Sequence, residues 1–165
     1  MGFLRHMFDH LRTFERVCRA EFDFLFDLGF RPIGGCRGAR ASWYRVSSDR
    51  VVIDFIEELG FPGPIDIVLH DRRAFRADPL DGCSLPDCPA HASWVSLRVI
   101  LADRGDLNML RDEPRFILSS AHRLRQILRP YSVLVQERAI DVVQGHTPLE
   151  KWTETIRPER VLPER

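Results

Sequence analysis

The sequence predicts an α+β domain, with a long N-terminal helix and C-terminal helices packed on an antiparallel sheet of about four strands. Three observations predict it. The first is a Pro-free N-terminal stretch holding Phe3, Phe8, Phe14, Phe22, Phe24, Phe26 and Phe30, out of 11 phenylalanines in the chain. The second is a set of short β-branched and aromatic runs joined by brief polar turns. The third is a return to helical periodicity beyond residue 116.

In the N-terminal stretch Leu4, Met7, Phe8, Leu11, Phe14, Cys18, Phe22 and Leu25 recur at steps of three and four, so they line one face of a 3.6-period helix. It ends at Asp27-Leu28-Gly29-Phe30. Arg31-Pro32-Ile33-Gly34-Gly35-Cys36-Arg37-Gly38 is rich in helix breakers and reads as a loop. It lacks the lysine of a P-loop and precedes no helix, so nucleotide binding has no support.

Trp43 to Val46, Val51 to Ile56 and Ile65 to Leu69 read as strands, with connections short enough for antiparallel hairpins. Val51, Ile53 and Phe55 share one face of the second run, and Val52, Asp54 and Ile56 the other. In the third, Ile65, Ile67 and Leu69 oppose Asp66, Val68 and His70. One face should pack on the helix and the other should be partly wet. No regular pattern runs from His70 to Ala92, a long loop for a compact domain and a place where function concentrates.

Trp94 to Leu101 alternates and predicts a fourth strand. Phe116, Ile117, Ala121, Leu124, Ile127 and Leu128 make an amphipathic helix that stops or kinks at Pro130. Ser119-Ser120 fit its start better than a nucleophile, since no glycine-flanked elbow surrounds them. Another helix follows from about Tyr131 to Val143, ended by Gly145. Thr147-Pro148-Leu149-Glu150 has the form of a capping box and predicts a last helix carrying Leu149, Trp152 and Ile156. One domain over residues 1–158 is expected, with 159–165 a frayed tail.

A chain of 165 residues can bury roughly 70% of its unfolded surface without metal or disulfide. Its 24 basic and 24 acidic residues balance to zero, so no long-range field draws a nucleic acid or an anionic membrane. All the basic residues but Lys151 are arginine, spread along the whole chain in the manner of a compositional bias. No run of about 18 apolar residues exists to span a membrane. Arg5, His6, Asp9, His10 and Arg12 interrupt any signal-peptide core, and His6 stands where a myristoylation motif wants Ser or Thr. A cytoplasmic protein with reduced cysteines is the expectation.

Chemistry has few places to reside. Cys83, Cys88 and His91 lie within nine residues and form the one metal-like constellation, a partial zinc set whose fourth ligand would have to be Cys36 or His70 from another loop. No other cofactor is expected. His70-Asp71-Arg72-Arg73 offers a base, a carboxylate and guanidiniums at a strand end, but adjacent residues on an extended chain point apart and cannot pair as base and orienter. Asp54, Glu57 and Glu58 gather carboxylates on or beside one strand. They form a candidate acidic surface for a basic partner, which needs no catalytic residue.

Phe22-Asp23-Phe24-Leu25 through Gly29-Phe30, Tyr44-Arg45-Val46-Ser47 with Val51-Val52-Ile53, and Leu124-Arg125-Gln126-Ile127-Leu128 with Tyr131 and Val142-Val143-Gln144-Gly145 resemble a group of small bacterial proteins. In these a helix ending in Gly-Phe leads into a β-meander closed by leucine-rich helices. The layout is similar to that of immunity proteins of bacterial toxin systems. The resemblance implies a non-enzymatic binding module that neutralises a cognate toxin by covering it, the acidic surface meeting a basic toxin domain. The matching positions are core and turn residues, so no functional residue comes with them. A metal-dependent or hydrolytic enzyme centred on residues 70–91 is the alternative.

Overall fold

The apolar stripe of the N-terminus is realised as α1 (Gly2–Glu21), where Phe14, Val17 and Cys18 are fully buried. The computed structural model describes residues 2–37, 41–58, 65–73, 94–106 and 120–153. The side chains of Leu4, Met7 and Phe8 lie outside that description. The helix is not one rod to Asp27. Leu25 N–H bonds Phe22 O and Phe26 N–H bonds Asp23 O, a tighter turn that separates α1 from the short α2 (Phe24–Asp27). Phe22 and Leu25 remain buried across the break. Gly29, at φ +90°, then lets Phe30 N–H reach back to Leu25 O at 3.0 Å, closing the helical segment with the left-handed residue that glycine adopts most readily.

Among the described residues five antiparallel strands follow in the order β1-β2-β3-β4-β5. They are β1 (Arg31–Arg37), β2 (Ala41–Ser47), β3 (Val51–Glu58), β4 (Asp66–Asp71) and β5 (Trp94–Ser96). The fold class is the predicted one, but the strand count is not, because the glycine-rich stretch assigned to a loop is β1. An edge strand needs only one neighbour, and a register shift between Pro32 and Gly34 bulges Ile33 out of the ladder. That accommodates residues a central strand would reject.

The predicted fourth strand is also corrected. After three residues Ser96 turns the chain, its hydroxyl accepting from Arg98 N–H, and α3 (Leu97–Asp103) begins. Leu97, Ile100 and Leu101 are buried at helical spacing. A run of alternating apolar residues also contains the i, i+3, i+4 set, and here the capping serine and the packing select the helix.

Ser120 caps α4 (Ala121–Leu134) as expected, its hydroxyl accepting from Arg123 N–H. Phe116 and Ile117 lie outside the described residues. The helix does not stop at Pro130: α4 continues through it. Leu128 and Tyr131 on either side of the proline are buried in the core, so packing on both flanks outweighs a proline cost of about 3 kcal/mol. The irregularity comes later, as a π-helical turn (Val135–Ala139) leading to α5 (Ile140–Val143). Gly145, at φ +68°, ends it.

α6 (Glu150–Thr153) starts later than the capping-box reading implies. The Thr147 hydroxyl donates to Asp141 at 2.5 Å, and Arg104 forks onto the same carboxylate at 2.7 and 2.8 Å. The Arg104 hydrogen bonds, more than the added bond from Thr147, hold Asp141 well below the usual carboxylate range despite partial burial. Lys151 and the Trp152 indole both donate to Asp103. These contacts tie α6 to α3, and Leu149 and Trp152 are buried as predicted. Ile156 and residues 159–165 lie outside the described residues.

α1 and α4 pack on each other over one face of the sheet, and the described elements share one apolar core. The second face is partly wet as expected: Val52, Asp54 and Val68 are buried, whereas Arg45, Ile56, Asp66 and His70 are half-buried. Among the described residues no helix is long and apolar enough to cross a membrane.

Candidate functional site

Strand alternation places Arg45, Asp54 and His70 on the sheet face away from α1, one residue on each of the three central strands. Arg45 lies directly opposite Asp54 in register, while Asp54 faces Val68, so His70 approaches on the diagonal. The Arg45 guanidinium donates through Nε and Nη2 to the two Asp54 oxygens at 2.5 and 2.7 Å. His70 Nε2 sits 3.0 Å from Asp54 Oδ2. Trp43, two positions earlier on β2, lies under Arg45 with the guanidinium 4.6 Å from a ring centroid. Nearby, Ser96 donates to Asp66 at 2.7 Å and pins β5 to β4.

Asp54 is 5% exposed, and burial alone would raise its pKa. The hydrogen bonds from Arg45 and His70, with the charges of both, more than offset that and hold the carboxyl below its ordinary value. An ionised carboxylate only accepts, so His70 Nε2 carries the hydrogen. This is a base and orienter pair of the kind general acid–base chemistry uses. The orienter is Asp54 and not the adjacent Asp71, whose Oδ1 instead accepts from Arg73 N–H at 2.7 Å. The signal was present in the sequence as a shared strand face, but only register brings residues 16 apart together.

The acidic surface expected from Asp54, Glu57 and Glu58 is not one face. Asp54 and Glu57 are an odd number of positions apart, so they project to opposite sides of β3. Glu57 points beneath α1, where its Oε2 lies 2.7 Å from His10 Nε2 with both side chains largely buried. Each carboxylate is engaged internally, and burial removes both from any partner. The Glu58 side chain lies outside the described residues, as do Cys83, Cys88 and His91. Among the described residues no group of three or more His, Cys, Asp and Glu could hold a metal ion.

Accessible chemistry lies elsewhere. A cleft of about 410 Å³ is lined by Arg50, Asp71, Arg73, Thr147 and Glu150. A hollow of about 530 Å³ on α1 is lined by Arg12, Glu15, Arg16, Arg19, Ala20 and Phe26. Strand β1 forms one edge of the sheet with Arg31 to Gly35 exposed, and Ile33 is 50% exposed. Sequence reasoning missed this edge because it assigned the segment to a loop. No protein-family model, curated protein or solved structure matches the chain.

Proposed function

We propose that the protein is a non-enzymatic binding module of the immunity type, acting in the bacterial cytoplasm to neutralise a cognate toxin by covering it. The observation that carries this reading is the open β1 edge. Among the described residues strand β1 has β2 as its one partner in the sheet, and the opposite edge strand, β5, spans only three residues before α3 begins. An open edge pairs with another chain through main-chain hydrogen bonds. Gly34 and Gly35 add no side chain of their own to that backbone, and Ile33, 50% exposed, adds an apolar contact. Pro32 and the bulge at Ile33 shorten the pairing stretch, which also guards against indiscriminate sheet extension. Recognition runs through this edge and not through Asp54 and Glu57.

The test is co-expression with the product of an adjacent toxin-like gene, scored as protection from killing, with Ile33→Asp and Gly34→Pro variants alongside. Protection by the wild type and its loss in both variants, with unchanged circular dichroism, is expected. Full protection by both variants would remove the edge from the account.

The Asp54–His70 pair favours a second reading, a hydrolytic enzyme using His70 as general base. Turnover of ester or phosphoester substrates by the purified protein, abolished by His70→Gln, would establish it over the binding reading.

A further inference from the structure

We infer that the outer face of α1 is a docking surface for an acidic segment of a partner protein that carries one large apolar side chain. Arg12, Arg16 and Arg19 are spaced by four and three, so they stack along one face of the helix. That face is opposite the buried Phe14, Val17 and Cys18, and all three arginines are exposed. Arg12 and Arg16 form no ion pair among the described residues. Arg19 lies 3.7 Å from Glu15, with side chains 51% and 38% exposed, a pair too solvated to neutralise it.

The three arginines border a hollow of about 530 Å³ whose apolar lining is Ala20 and Phe26. The Arg19 guanidinium stands 5.6 Å from the Phe26 ring centroid, which holds the cation at the rim. Guanidiniums bind carboxylates in a two-pronged geometry, and the lining receives an apolar side chain. The stripe runs about 10 Å along the helix axis. That length suits a few carboxylates on a short peptide. A polynucleotide would need a longer basic track, and this chain, with a formal net charge of zero, supplies no field to hold one. The inference stands independently of the toxin-neutralising reading.

The probe is a fluorescently labelled Glu-rich peptide with one central leucine, titrated into the full chain at low ionic strength and followed by anisotropy. Saturable binding is expected. Charge reversal at Arg12→Glu with Arg16→Glu should weaken it about tenfold or more, because both attractions become repulsions. Glu15→Gln should tighten binding by removing a carboxylate that lines the hollow, and replacing the peptide's leucine by serine should weaken it. Raising salt to about 0.15 M, where the Debye length is about 8 Å, should reduce all affinities together. Because Arg12 and Arg16 are exposed, thermal unfolding should be unchanged in their double reversal. Equal affinity for wild type and the double reversal would overturn the proposal. So would a single-stranded oligonucleotide of equal charge that binds as tightly and competes.

Discussion

Arg45 and Asp54 face each other across β2 and β3 and are joined by hydrogen bonds of 2.5 and 2.7 Å, with the Asp54 side chain 7% and the Arg45 side chain 19% exposed. A pair this buried is costly to break from one side, because the remaining charge keeps its desolvation cost and loses its partner. Asp54→Ala should therefore lower stability by about 3 to 5 kcal/mol. Asp54→Asn, which keeps the shape and one acceptor, should cost less. Urea unfolding measures both.

The same carboxylate gives the protein a defined acid response. Arg45 and His70 hold Asp54 below its ordinary value in the fold, whereas the unfolded chain returns it to about 3.9. Its contribution is therefore present above the unfolded pKa and lost as pH falls through the folded one. The stability gap between wild type and Asp54→Asn should narrow as pH falls below about 4. A gap that widened on acidification would mean the carboxyl is protonated in the fold.

Phe22 is buried at the break between α1 and α2 and meets Phe55 of β3 edge-on, with ring centroids 4.8 Å apart. It joins the N-terminal helices to the sheet. Phe22→Ala should cost about 3 to 5 kcal/mol, in line with other aromatic truncations in cores. A denaturant midpoint left unchanged would take Phe22 out of the core.

The Tyr44 side chain is 2% exposed, and its hydroxyl has no hydrogen-bond partner among the described residues. Burial, ahead of any neighbouring charge, pushes its pKa up to about 12. Deleting an unpaired buried hydroxyl removes a desolvation cost while the ring keeps its stacking on Phe55. Tyr44→Phe should thus be neutral or stabilising by about 1 kcal/mol. Calorimetry should show an unchanged or raised Tm.

Gly29 and Gly145 both hold positive φ, at +90° and +68°, yet they should respond differently to alanine. A Cβ at Gly29 meets nothing within 4 Å, whereas one at Gly145 would lie 2.8 Å from Arg50 Cβ. Gly29→Ala should cost about 1 to 2 kcal/mol of backbone strain. Gly145→Ala should cost more, and pairing it with Arg50→Gly should recover the difference. Equal Tm losses for the two alanine variants would contradict the close approach.

Much of the fold was legible because its signals are local. The stripe through Phe14, Cys18, Phe22 and Leu25 determined a buried helical segment, and the alternation of Val51, Ile53 and Phe55 determined which side of β3 meets it. Gly145 marked a helix end through its own backbone freedom. The tertiary structure decided what a local pattern leaves open. Arg31–Arg37 becomes a strand because β2 is there to pair with it, Leu97 to Leu101 becomes helix because Ser96 caps it and the core receives Leu97, Ile100 and Leu101, and Pro130 stays within α4 because its flanks are buried. The candidate sites divide along the same line. The arginine stripe of α1 can be read from spacing alone, since its residues share one helix. The Arg45–Asp54–His70 network and the His10–Glu57 pair cannot, since register and helix packing bring together residues far apart in the chain.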